Sequence, residues 1–399
     1  MDVKSRFLRY VQVETTSCEA NEGCPSTPGQ WDLARMLVRE LREMGIDDAK
    51  VDEHCYVTAH IPAKGRQTTR LGLIAHMDTS DGVTGPTHPQ VIDRYAGGPI
   101  TLKNGTVIDG FGFLPALVGQ ELIVTDGTSV LGADDKAGVA EIMQLCRELT
   151  APDAPDHCAM CIGFTPDEEI GRGADLFDVA GFGADYAYTV DGGALGELEY
   201  ENFNAASCRV TVHGVNIHPG SAKNQMKNAA LIAMEWNSLL PPAEIPAHTE
   251  SYEGFYHLCG MSGDEEKAEL VYIIRDHDAA KFDARIATAR RITDFLNARY
   301  GEGTVECAIR ESYRNMREII EQRMDIVEKA KAAFTACNVE PIVQPIRGGT
   351  DGARLTYMGL PCPNLSTGGF NFHGRKELIP VPSMVKMVEV LKRLATDAD

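Results

Sequence analysis

RLGLIAHMDT, residues 70–79, is the stretch on which the fold turns. Its first part is a short apolar run that stops at polar residues. Such a run reads as a strand buried on both faces. Two more runs share the form: HCAMCIGFTP at 157–166 and DYAYTVDGG at 185–193. Between them, DDKAGVAEIMQLCRELT at 134–150 reads as an amphipathic helix opened by acids, as its dipole prefers. Upstream, SRFLRYVQV (5–13) and PGQWDLARMLVRELREMG (28–45) have helical apolar spacing, and Gly45 fits a C-cap. Strands alternating with helices predict an α/β sheet with helices on both faces.

Outward from this region the texture changes near residue 204. ASCRVTVHG (206–214) alternates like a half-exposed strand. KNAALIAMEWNSLL (227–240) reads as a helix, ELVYIIRDHD (269–278) as a strand, KFDARIATARRITDFLNARYG (281–301) as a helix and GTVECAIRESY (303–313) as a strand. This is a compact α+β unit with a β-α-β-β-α-β-like succession. The α/β style then returns with helices at 320–339 and 381–396. One α/β domain over 1–203 and 317–399, interrupted by an inserted domain over 204–316, is the simplest division.

Composition narrows the function classes. A chain of 399 residues predicts two domains and a large core without disulfide staples. The net charge of −20 repels phosphate backbones and anionic lipid, so neither nucleic acid nor a membrane is expected as a partner. No apolar run is long enough to span a bilayer, and the N-terminus lacks the apolar core of a secretory signal. The 11 cysteines are then expected to be reduced thiols in a cytoplasmic protein. Cys158 and Cys161 sit three apart on a strand and so point to opposite faces, which argues against a shared metal.

Five places put acids or histidines at a strand end or a helix start, where open α/β sheets bind ligands. They are His76 with Asp78 in AHMDT, Asp134 and Asp135 in GADDKAG, Glu168 and Glu169 in TPDEEIG, Asp191 in TVDGG, and His373 in GGFNFHGRKE. Each alone reads as a cap or a turn. Together they crowd carboxylates that would repel one another without cations. Two histidines with three carboxylates suit zinc better than all-oxygen ions. Five ligands suit two metals sharing one carboxylate, with a leftover glutamate free to move a proton. The glycines after Asp191 are expected to let backbone approach a ligand closely.

On these motifs the chain resembles the peptidase T family of tripeptide aminopeptidases. More widely it is similar to the di-zinc metallopeptidases that include glutamate carboxypeptidase and aminoacylase. The narrower signals are CPSTPGQ (24–30), IVTDGTSVLGADDKAG (123–138), HGVNIHPGSAKNQMKNA (213–229), HTESYEGFYHL (248–258) and GGTDGARL (348–355). The resemblance implies a zinc-peptidase-like, doubly wound α/β sheet domain with an inserted, ferredoxin-like α+β domain serving as lid or dimerisation unit. It implies two zinc ions per subunit: His76 and Asp191 on one, Glu169 and His373 on the other, with Asp134 and a water or hydroxide as bridges. Asp78 would orient His76, and Glu168 would be the general base. His218, Arg275 and Arg354 would meet the substrate, a short peptide, and the inserted domains could pair into a homodimer. The competing readings are a dipeptidase, an N-acyl-amino-acid deacylase, a nucleotide-binding oxidoreductase, or a catalytically silent metal binder. The oxidoreductase lacks a G-x-G-x-x-G after the first strand.

Overall fold

A computed structural model describes the whole chain, Met1 to Asp399, which divides into two compact units. The first comprises Met1–Tyr200, Glu318–Gln344 and Thr350–Asp399. Its centre is an eight-stranded sheet in the order Lys50–Val51, Val57–Ile61, Ala159–Thr165, Arg70–His76, Tyr186–Gly192, Asn364–Ser366, Glu197–Glu199, Ile342–Val343. The four strands from Ala159–Thr165 to Asn364–Ser366 run parallel, and Val57–Ile61 flanks them antiparallel. After Arg70, every residue of the Arg70–His76 strand is buried. Both faces are covered, so the run is continuous rather than alternating. Ile74, Cys161 and Ala187 pack against Phe177 and Phe182. Helix Ala133–Leu149 packs against the Arg70–His76 strand. It also comes so near the Tyr186–Gly192 strand that a Cβ on Gly138 would lie 1.9 Å from the Val190 carbonyl oxygen.

The 80–120 stretch has no legible period, yet it folds. Gln90–Ile92, Leu122–Val124 and Leu378–Pro380 form a three-stranded sheet, and Ile100–Thr101 pairs with Val107–Ile108. Tyr95, Ile108, Leu114, Leu117, Leu122 and Leu378 give this module its own apolar cluster. Strands of two or three residues are too short to show alternation, which is why the sequence does not announce them.

The second unit comprises Glu201–Arg317 and Pro345–Gly349. Its antiparallel sheet runs Phe255–Gly263, Lys267–Asp276, Asn204–His213, Val305–Tyr313. Helices Ala229–Ser238 and Ala279–Tyr300 supply Ile232, Trp236, Phe282 and Ile286 to a core shared with Val210, Tyr272 and Ile274. The chain order is β-α-β-β-α-β, the ferredoxin-like succession. The sequence reading does not single out the Phe255–Gly263 strand. It lies at the sheet edge, is mostly exposed beyond Tyr256, and is interrupted by Gly260. Pro345–Gly349 joins this unit because the Ile346 N–H bonds the Glu201 carbonyl at 2.8 Å and the Ile346 carbonyl meets His277 Nε2 at 3.0 Å. No helix is long and apolar enough to cross a membrane.

Candidate metal centre

The carboxyl ends of the parallel strands converge on one place in the first unit. His76 closes the Arg70–His76 strand, and Asp191 is the penultimate residue of Tyr186–Gly192. Glu168 and Glu169 open a 3-10 turn just beyond Ala159–Thr165. Asp134 stands at the start of helix Ala133–Leu149, and His373 in the loop that follows Asn364–Ser366. His76 Nε2 lies 2.9 Å from Asp134 Oδ1 and 3.4 Å from Asp191 Oδ1. His373 Nε2 lies 2.9 Å from Asp134 Oδ2 and 3.0 Å from Glu169 Oε2. The donors therefore form two groups, His76–Asp134–Asp191 and Asp134–Glu169–His373, each with its ligand atoms within 4.8 Å of one another. Asp134 belongs to both and offers a different oxygen to each.

The two histidines differ in exposure. The His76 side chain is 2% exposed and that of His373 55%, while Asp191 and Glu169 are 12% and 5% exposed, so it is His373 that faces solvent. Charge in this cluster is shared by protons when no cation is present. Burial opposes a charge on His76, but Asp191, Asp134 and Asp78 outweigh it and hold the imidazole well above its usual value. Hydrogen bonds to Asp134 and Glu169 raise His373 to about 11. Burial and then Asp134 push Asp191 up to about 7, against the pull of His76. Burial, then the charges of Asp191, Asp351 and Glu169, raise Glu168, which borders the same narrow space as His76, Asp191 and Asp351.

Such a donor set fits divalent metal. Two imidazoles and three carboxylates are the borderline nitrogen and oxygen donors that zinc accepts. Glu169 adds a specific sign. Its Oε2 meets His373, while its Oε1 is buried with no hydrogen-bond partner. A buried carboxylate oxygen left bare is costly unless a cation takes it.

Against known proteins, a family model described as a peptidase dimerisation domain matches residues 200–304. Peptidase T of Halothermothrix orenii is 52% identical over 98% of both chains, and peptidase T of Alkaliphilus oremlandii is 50% identical over 98% of this chain and 97% of its own. The chain belongs to the peptidase T family. As a member it is a metallo-aminopeptidase. Among solved structures, the aminopeptidase PepT of Bacillus cereus covers 99% of this chain and 97% of its own, with a TM-score of 0.79 at 21% identity. A dinuclear metal-binding peptidase of the M20 family from Bacillus subtilis covers the same shares, with a TM-score of 0.67 at 14% identity. At those identities the likeness is one of fold.

The stretches by which the chain resembles the peptidase T family have physical work in the structure. CPSTPGQ clamps the loop before the two glutamates. The carboxylate of Asp167 accepts the Ser26 N–H at 2.7 Å, the Ser26 hydroxyl at 2.5 Å and the Gln30 amide at 2.7 Å. Asp167 sits in the left-handed region, with φ of 57°, which turns the chain sharply into Glu168. From the other side, Asp78 accepts the N–H of Glu168 at 3.0 Å and of Glu169 at 3.1 Å. Asp78 Oδ1 also lies 3.3 Å from His76 Nδ1. In GGTDGARL, buried Asp351 accepts the Thr165 hydroxyl at 2.8 Å. Sequence reasoning gave no role to Asp167, Asp351 and Glu377, although each lies inside a quoted motif: TPDEEIG, GGTDGARL and GGFNFHGRKE.

One expectation changes. The glycines of TVDGG do not make room for a ligand. A Cβ on Gly192 would lie 2.9 Å from the Leu365 carbonyl oxygen, and one on Gly193 would lie 2.4 Å from a Glu197 carboxylate oxygen. They allow the neighbouring strand and Glu197 to close up. Arg354 donates to the Gly171 carbonyl at 2.7 Å and pairs with Asp175, bracing the turn behind Glu169. Within the second unit, His218 is exposed, and its Nδ1 accepts the Gly220 N–H. Arg275 donates to the carbonyls of Ala206 and Ile274 and lies over the Tyr313 ring.

Proposed function

We propose that this chain is a di-zinc aminopeptidase that releases the N-terminal residue of tripeptides. The single observation that carries the reading is Asp134, one carboxylate shared by two three-residue donor groups. His76 and Asp191 would hold one zinc, Glu169 and His373 the other. When bound, the two cations polarise the scissile carbonyl and make water acidic at neutral pH. Glu168, beside them and not needed as a ligand, takes the proton of the attacking water and returns it to the leaving amine. Asp78 orients His76 by its contact at Nδ1 and holds the amides of both glutamates. His218 and Arg275 remain our candidates for the substrate's carbonyl and terminal carboxylate, by family resemblance. Arg354 is better read as a brace.

The test is a length and end-group series. Tri-alanine should be cut after its first residue far faster than di- or tetra-alanine, and acetylating its amine should slow cleavage. Arg275→Ala should raise KM for tri-alanine and reduce the penalty for amidating the carboxylate. Equal rates across lengths, or faster cleavage of acetylated peptides, would replace this reading with a deacylase one. The match to a peptidase dimerisation domain over 200–304 supports a homodimer through the second unit. Sedimentation giving a single-chain mass at micromolar concentration would remove that part.

A further inference from the structure

Glu377 lies four residues after His373, and the metal chemistry has no direct use for it. Its side chain is buried, and its two carboxylate oxygens accept four successive backbone amides. Oε2 takes the N–H of Leu131 at 2.7 Å and of Gly132 at 2.9 Å. Oε1 takes the N–H of Ala133 at 2.7 Å and of Asp134 at 3.1 Å. A carboxylate has about four lone-pair sites, so this one is saturated. The helix it meets needs an outside acceptor, because Gly132 at its N-cap contributes no side-chain bond. The other end of the strut is equally firm. Phe370 and Leu378 exchange backbone hydrogen bonds at 2.9 and 3.0 Å, closing the loop that carries His373 at its tip. The Phe370 ring stacks on Phe113 at 4.2 Å, and Leu378 pairs with Val124, so the loop is anchored to the 90–124 module.

We propose that Glu377 is a positioning residue that sets the distance between Asp134 and His373, and through it the affinity of the Asp134–Glu169–His373 site for its cation. The inference rests on the two-metal reading above. One side chain joins the backbone of Asp134 to the loop of His373, and those two residues supply two of the three donors of that site. The His76–Asp134–Asp191 site is tied instead to the ends of two central strands. Asp134 serves both sites, but only the Asp134–Glu169–His373 site also draws on the His373 loop, so loss of the strut should fall harder on that site.

The substitution Glu377→Gln keeps the shape and turns half of the acceptor into an N–H donor facing amides. Zinc uptake by metal-free wild-type and variant chains should be followed in chelator-buffered zinc, with the melting temperature of the metal-free forms measured alongside. In the wild type two binding steps are expected. In Glu377→Gln the step that His373→Ala removes should shift by about 10–100-fold while the other shifts much less. His373→Ala should lose the same step outright. Excess zinc should restore most of kcat to Glu377→Gln. Should that variant fail to accumulate, Glu377→Asp, one methylene short but still charged, is read by the same criteria. Two unshifted steps, or two steps shifted equally, would overturn the inference, whether or not the melting temperature falls. A wild-type chain that takes up a single zinc would sink the two-metal reading itself.

Discussion

At the scale of single residues, the roles of neighbouring acids separate by what each one touches. Glu169 Oε2 contacts His373, whereas Glu168 borders a narrow space shared with His76 and Asp191. Glu168→Gln should therefore cut kcat by about 10²–10⁴-fold and leave two zinc per chain, measured by turnover and metal analysis on the same sample. Near-normal turnover would take Glu168 out of the reaction. Asp134 contacts both histidines, so Asp134→Ala should weaken both sites together. Retention of two tightly held zinc ions in that variant would disprove the shared carboxylate.

Elements matter because they hold these residues at fixed spacing. The Asp167 clamp joins the 24–30 segment to the turn that carries Glu168 and Glu169. Asp167→Ala leaves buried donors on Ser26 and Gln30 without partners, at about 1–3 kcal/mol for each unsatisfied group. Denaturant unfolding should report that loss, and kcat should fall more than KM rises. Unchanged unfolding and kinetics would show that the clamp is idle. A second element carries a pH signature. Glu199 in the Glu197–Glu199 strand is buried, its carboxylate accepts the Asn364 amide at 2.8 Å, and burial pushes it up to about 8. In the unfolded chain it would ionise near the ordinary glutamate value of about 4.3. The unfolded state then releases this proton first as pH rises, so the residue's contribution is fully present below that value and is lost by about pH 8. Glu199→Gln should match the wild-type melting temperature at acid pH and exceed it progressively up to about pH 8. A difference that is constant across that range would refute the assignment.

For the whole molecule, the question is whether metal builds the fold or only the site. The first unit has continuous buried strands, and the second has its own apolar core. Neither depends on a cation as a zinc finger does. Chelation should abolish peptidase activity, added zinc should restore it, and far-UV circular dichroism should change little between the two. Complete unfolding on chelation would contradict this.

The amino-acid sequence by itself determined the strands at 70–76, 159–165 and 186–192, the helix at 133–149 and most of the inserted unit, because long apolar periods report burial directly. It also pointed to every residue of the two donor groups, because acids and histidines at strand ends stand out against apolar runs. Only the tertiary structure decided what their neighbours do. The four-amide grip of Glu377 spans 243–246 positions of chain, and the bond from Ser26 to Asp167 spans 141. A carboxylate that receives backbone amides leaves no mark on the residues that donate them, since every residue but proline carries the same N–H. The glycines after Asp191 looked the same in sequence whether they faced a ligand or a strand. Their place beside Leu365 and Glu197 was settled by packing, which depends on which distant segments the folded chain brings together.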